Sequence, residues 1–125
     1  MLILCRPELF LPKWKVVKKM DNLFKLPKVL TDGEAIEALI PDQGVLIERI
    51  ISTGQSSPEN FWYDQERDEW VVLLQGKARL VWKDGRSKEL IPGDWVLIPA
   101  HEHHRVDWTS THPPCVWLAV HGRLQ

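Results

Sequence analysis

The chain is poor in cysteine, and the two it has, Cys5 and Cys115, form no CxxC pair and no metal-finger spacing. Nothing in their placement marks a secreted, disulfide-stapled scaffold. Long apolar runs are also missing: none approaches the roughly 20 residues that a membrane-spanning helix needs. The opening Met1–Cys5 is apolar, but Arg6, Pro7 and Glu8 cut it far short of a signal-peptide core. The expectation is a cytoplasmic protein without a membrane partner. An excess of one charge sign is absent as well, and a formal net charge of −1 argues against a nucleic-acid surface built on bulk positive charge. There is no phosphate-cradling glycine loop. Ser56, Ser57 and Cys115 lack the strand–elbow–helix setting of a nucleophile, which argues against covalent hydrolysis.

What is present fits one folded domain. A length of 125 residues suffices for a single sizeable core and is too short for two. Hydrophobic residues make up 44% and charged residues 26%, so disorder is not the default. The charge is unevenly spread. Residues 1–19 hold five basic side chains (Arg6, Lys13, Lys15, Lys18, Lys19) against one acidic, Glu8, so of the total of −1 the remaining residues, 20–125, carry −5. This first stretch shows no periodicity and Met20 follows it directly, so two readings stay open: a basic arm, or a segment upstream of a domain that starts at Met20.

Thr31-Asp32-Gly33-Glu34 has the form of a capping box and predicts a short helical turn over Ala35–Ile40, ended by Pro41. From there the pattern turns to strand. Val45–Ser52 and Trp70–Leu74 are apolar or β-branched runs, and Ala78–Trp82 alternates apolar and polar residues. Lys83-Asp84-Gly85-Arg86 is a hairpin signal and Pro92-Gly93-Asp94 a second tight turn. Trp95–Ile98, Arg105–Trp108 and Val116–His121 complete the set. Short strands at this spacing describe an all-β sandwich or antiparallel barrel.

Two segments concentrate the ionisable groups: GQSSPENFWYDQERDEWVVLLQG over 54–76 and GDWVLIPAHEHHRVDW over 93–108. Together they resemble the two motifs of the cupin superfamily, small double-stranded β-helix barrels. Glu69, six residues and then Gly76 match the end of the first motif; Gly93, Pro99 and His104 match the second at the right spacing. The resemblance covers roughly residues 45–121 and gives no support to the first forty. One departure is plain. Where the family carries a His-x-His pair, this chain has none: the second slot falls on Asp64 or Gln65 and the first on Trp62 or Tyr63. The second motif is richer than usual, with His101 at the family's glycine position, followed by His103 and His104.

The resemblance implies one divalent metal ion in the barrel, and Asp64, Glu69, His101 and His104 would supply two oxygen and two nitrogen donors. Carboxylates in place of histidines harden the site toward iron or manganese, with zinc still admissible. Tyr63 would move a proton, and Trp62, Gln65, Trp108 and His121 would line the pocket, although His121 near the C-terminus also suits a surface position. The implied function is metal-assisted chemistry on a small oxygen-bearing molecule, of dioxygenase, isomerase or lyase type. A binding or sensing module without turnover is the alternative, and so is a barrel that lost its metal with the His-x-His pair. Without the resemblance, Glu69 reads as a solvated strand-start residue and the histidine run as a polar loop. In an extended segment His101 and His103 share one face while Glu102 and His104 share the other, so a bend must bring His101 inward. If Glu69 points inward, so do Val71 and Leu73, and Trp70 points out. An outward Trp70 suggests covering by a second copy, hence an expected homodimer.

Overall fold

The computed structural model describes residues 19–30 and 33–125. Eight strands follow in order: β1 Ala35–Ala38, β2 Leu46–Ser52, β3 Asp68–Gln75, β4 Ala78–Trp82, β5 Ser87–Leu90, β6 Trp95–Ile98, β7 His104–Thr109 and β8 Cys115–Gly122. They form a five-stranded sheet, ordered β1-β2-β8-β3-β6, and a three-stranded sheet, ordered β5-β4-β7, with every pairing antiparallel. Ile50, Val71, Leu73 and Trp117 of the first sheet meet Leu80, Trp82, Leu90 and Val106 of the second in one buried core. Burying each such side chain contributes about 1.5–3 kcal/mol, and this apolar packing between sheets is what closes the barrel.

The expected helical turn is corrected. Thr31 and Asp32 of the capping box lie outside the described residues, as does the arm over 1–18, and Ala35–Ala38 is a strand. It pairs with β2 from Ala35 opposite Ile51 to Ala38 opposite Glu48, and Leu39 N–H continues the ladder to the Ile47 carbonyl at 2.8 Å. Ile36 packs on the core while Glu37 meets Arg49 outside at 2.6 Å. An open sheet edge offers this segment a full set of backbone bonds and a place for Ile36, which overrides a weak local helix signal. The same Arg49 donates to the carbonyls of Leu23 and Lys25 at 3.1 and 2.9 Å, tying the stretch after Met20 to the barrel.

The expected turns are in place. Asp84-Gly85 closes the β4–β5 hairpin, with Trp82 N–H donating to Arg86 O at 2.8 Å, and Gly93 N–H donates to Leu73 O at 2.7 Å. Gly76, between β3 and β4, has φ +88°, and a Cβ there would stand 2.8 Å from Ser110 Oγ and 2.9 Å from Cys115 Cα. Both the backbone conformation and the lack of room require glycine. Gly76→Ala is expected to destabilise the fold by at least ~1–3 kcal/mol, the usual cost of a side chain in a sparsely populated backbone region. Urea unfolding of the two proteins measures this, and an unchanged midpoint would contradict it.

Candidate functional site in the barrel interior

The interior end of the barrel is built by strand alternation. On β3, Glu69, Val71 and Leu73 face inward and are fully buried, as are Leu46, Glu48 and Ile50 on β2 and Trp117, Ala119 and His121 on β8. Register then sets the neighbours: Glu69 lies opposite His121 on one side and Ile98 on the other, and His121 also lies opposite Leu46. From the second sheet, His104, the first residue of β7, points into the same interior and is buried.

The state of His104 follows from its contacts. Its Nδ1 lies 2.9 Å from the Glu102 carbonyl, which only accepts, so Nδ1 carries the hydrogen and the Nε2 lone pair faces the interior. Nε2 has no hydrogen-bond partner and sits 3.8 Å from Glu69 Oε1. Burial holds the imidazole below its ordinary pKa, against the opposing pull of the Glu69 charge. Tyr63 stands beside it: the two backbones exchange N–H···O bonds of 2.8 and 3.3 Å, and their rings are 5.8 Å apart. Tyr63 packs against the core, so it borders the interior.

A second acid–base pair, Glu48 and His121, was not expected. Glu48 Oε1 and His121 Nε2 are 2.8 Å apart, both side chains are buried, and Glu48 Oε2 has no partner. Period-2 alternation within Leu46–Ser52 held the signal, since Glu48 lies between inward Leu46 and Ile50. Of the two places expected for His121, pocket lining or surface, the structure takes the inner one: its offset of two from Ala119 on β8 puts it inside. Farther along the interior, Glu34 accepts from Ser52 Oγ at 2.8 Å, and Trp117 Nε1 donates to the same hydroxyl at 3.2 Å. Burial raises the Glu34 pKa.

The other expected site residues lie elsewhere. Asp64 pairs with His101 Nδ1 at 2.7 Å and with His103 Nε2 at 3.4 Å on the outside, where His101 is 65% exposed. Tyr63 faces inward, so its neighbour Asp64 faces out, and His101, at φ +64°, turns toward Asp64 rather than toward His104. The bend needed to bring His101 inward does not occur. Gln65 contributes its carbonyl to His101 N–H at 2.7 Å. Trp62 is stacked by the Arg105 guanidinium at 5.3 Å, on the outer side of β7. Trp108, expected in the pocket, is 47% exposed and lines a surface groove with Lys77, Arg79 and Ile91. A bulge explains this, because β7 pairs Val106 with Leu80 but Trp108 with Arg79, which leaves Asp107 extra and turns Trp108 out.

The profile of the Cupin domain family matches residues 48–121. This chain belongs to the cupin family. Among solved structures it is similar to a Ralstonia eutropha JMP134 protein that carries the provisional name mannose-6-phosphate isomerase, at 44% identity and TM-score 0.79, covering 85% of this chain and 99% of that one. A cupin superfamily protein from Desulfitobacterium hafniense DCB-2 shares the fold at 20% identity and TM-score 0.67, covering 87% and 99%. The polyketide cyclase RemF from Streptomyces resistomycificus matches at 26% identity and TM-score 0.60, covering 70% and 63%. No curated protein matches the chain.

The interior of this cupin fits a divalent ion in part. His104 has the preparation of a metal ligand: a neutral imidazole, a tautomer fixed by a backbone carbonyl, and a buried nitrogen lone pair facing a carboxylate. Two acceptors that face each other at 3.8 Å without a hydrogen bond between them suit a Lewis acid. Among the described residues, however, no three His, Cys, Asp or Glu side chains are already arranged around one point as ligands. His104 is expected to be Nδ1-protonated and neutral at pH 7, and to gain its second proton only below the ordinary imidazole range. Because folding disfavours the charged ring, its contribution to stability falls as pH drops through that range. Nitrogen-15 imidazole NMR across pH 4–8 reads both; an Nε2–H tautomer, or titration above the ordinary range, would contradict the assignment.

Proposed function

We propose that this cupin binds one divalent metal ion, iron, manganese or zinc, inside the barrel and acts on a small oxygen-bearing molecule there. The observation that carries this is the buried His104 Nε2, unpartnered and facing Glu69. Glu69 and His104 would hold the ion, which supplies Lewis acidity for polarising a carbonyl or hydroxyl oxygen. The rest falls to the chain's own groups. The site is buried from bulk solvent, which strengthens the electrostatic contacts made in it. Tyr63, whose ring borders His104, is placed to hold or move a proton of the bound molecule. The names of the similar proteins, one provisionally a mannose-6-phosphate isomerase and one a polyketide cyclase, favour isomerase or lyase chemistry over dioxygenation.

A second reading, a metal-free binding or sensing module, is favoured by the absence of a third donor around the Glu69–His104 pair among the described residues. Metal content of purified protein separates the two. Stoichiometric metal is expected in the wild type and in His103→Ala and His112→Ala, and less than a tenth of it in His104→Ala, since losing a metal ligand removes most of the affinity. Equal occupancy in wild type and His104→Ala would overturn the site, and ligand binding that survives chelation would favour the second reading.

We further propose a cytoplasmic homodimer. Trp70 and Trp95 lie on the outer face of the five-stranded sheet with rings 6.1 Å apart, and Trp95, beside Leu97 on the edge strand β6, is 60% exposed. Aromatic surface of this kind is commonly covered. Sedimentation at roughly tens of micromolar, a range in which interfaces of modest affinity are populated, is expected to give a dimer, and Trp95→Lys a monomer. A monomeric wild type would refute it.

A further inference from the structure

A row of inward side chains crosses the three-stranded sheet at the level of His104. Tyr63 pairs with His104 on one side through a single bridge, and Trp82, the last residue of β4, lies opposite it on the other. Lys83 N–H donates to His103 O at 3.1 Å, so the next pair along, Trp82 with His104, is a non-hydrogen-bonded one. Side chains in such a pair share a face, with Cβ atoms about 4.5–5.5 Å apart. Both belong to the interior: Trp82 is part of the core and 7% exposed, and His104 is buried. Yet the indole Nε1–H of Trp82 is buried without a hydrogen-bond partner, and so is the Nε2 lone pair of His104. Burying either unsatisfied is costly, and a buried indole N–H usually finds an acceptor. On its other side the indole lines an open pocket of about 430 Å³, where Arg86, held by Asp84 and Glu102, lies over the ring at 5.3 Å. Trp82 thus stands between that pocket and His104.

We propose that Trp82 Nε1–H is the donor that binds and orients the small molecule, and that it reads an uncharged carbonyl or hydroxyl oxygen. An N–H that cannot accept selects an acceptor on the ligand. The surroundings decide the charge. Burial is the first cause that raises the Glu34 pKa, and the charges of Glu48 and Glu69 add to it, so three carboxylates feel one another in this interior. Arg49, the buried arginine, faces outward to Glu37 and offers an anion nothing there. A carboxylate or phosphate beside Trp82 would meet those carboxylates with one neutral N–H to offset them, and a desolvated charge does not tolerate that. A ligand hydroxyl can in turn donate to His104 Nε2, whereas a carbonyl leaves that lone pair to a metal ion. The inference rests on the reading that a small oxygen-bearing molecule binds here, and it is independent of the metal.

The test follows the indole and imidazole signals of the nitrogen-15-labelled full chain by NMR, with zinc, a diamagnetic ion, present. Dihydroxyacetone is the uncharged probe and glycolate the charged one of similar size. Dihydroxyacetone is expected to move the Trp82 N–H proton downfield, as a new hydrogen bond does, and further than any other indole signal. Glycolate is expected to leave it in place. Trp82→Phe keeps an aromatic ring and removes the donor, and is expected to weaken dihydroxyacetone binding about tenfold, read on the His104 ring nitrogens. Urea unfolding reports whether this variant folds; the wild-type titration decides by itself if it does not. Binding that leaves the Trp82 N–H signal unmoved, or full affinity in folded Trp82→Phe, would overturn the donor role while leaving the small-molecule function standing. Glycolate binding at Trp82 as tightly as dihydroxyacetone would overturn the uncharged class. A wild type that binds neither probe would overturn the inference, and the metal content of wild type and His104→Ala still decides the metal function separately.

Discussion

The register of β8 between β2 and β3 is the constraint on which the site depends. β8 is paired along its length on both sides, so its inward set, Trp117, Ala119 and His121, is locked against Ile50 and Leu73 in one layer and against Leu46 and Glu69 in another. Side chains alternate with period two, so a slip of one residue would carry His121 and its apolar companions to the outer face. The large buried Trp117 makes such a slip costly, because its indole donates to Ser52 inside the core. A hydrophobic layer thus fixes the position of a polar one that lies two residues farther along the same strands.

That polar layer is an unusual use of a small interior. Glu48, Glu69, His104 and His121 are all buried, and buried carboxylates are tolerated when neutralised, hydrogen-bonded or coordinated. Part of the compensation is visible: Glu48 meets His121, and the Glu102 carbonyl fixes the ring of His104. Arg49, the buried arginine of β2, faces the other way and serves Glu37 and the carbonyls of Leu23 and Lys25.

The outside of the molecule carries a separate ionic system. Asp64 sits between His101 and His103, and its acidity is strengthened first by the hydrogen bond from His101. Asp68, one residue before Glu69, does structural work: its carboxylate accepts from Ala100 N–H and Leu124 N–H at 2.9 Å each, pinning the loop before β7 and the C-terminal segment to β3. Adjacent acids on one strand therefore have opposite duties, decided by which face each occupies. Trp62 and Trp108 likewise lie outside, one under Arg105 and one turned out by the β7 bulge.

Much of the fold was legible in the sequence because it is local. The runs from Leu46 to Gly122 carry alternation and turn residues that need no distant partner to be recognised, and Glu69-x6-Gly76 with Gly93-x5-Pro99 marks the two motifs by spacing alone. Alternation tied Glu69 to the face of Val71 and Leu73, while its inward direction was implied by the family resemblance; the structure buries all three. Where long-range pairing decides, local signals misled or were silent. Ala35–Ala38 became a strand because the edge of β2 was available to it. Asp64 and His101 turned outward because Tyr63 bridges to His104 and His101 takes a left-handed backbone conformation. Glu48 found His121 across an interval of seventy-three residues, a pairing that only the antiparallel register of β2 with β8 creates. The residues alone determined an all-β chain of short strands whose two spaced motifs, with Glu69 and His104, resemble those of cupins; which other side chains share their interior was decided by sheet register, because register, unlike spacing, joins residues that are distant in the chain.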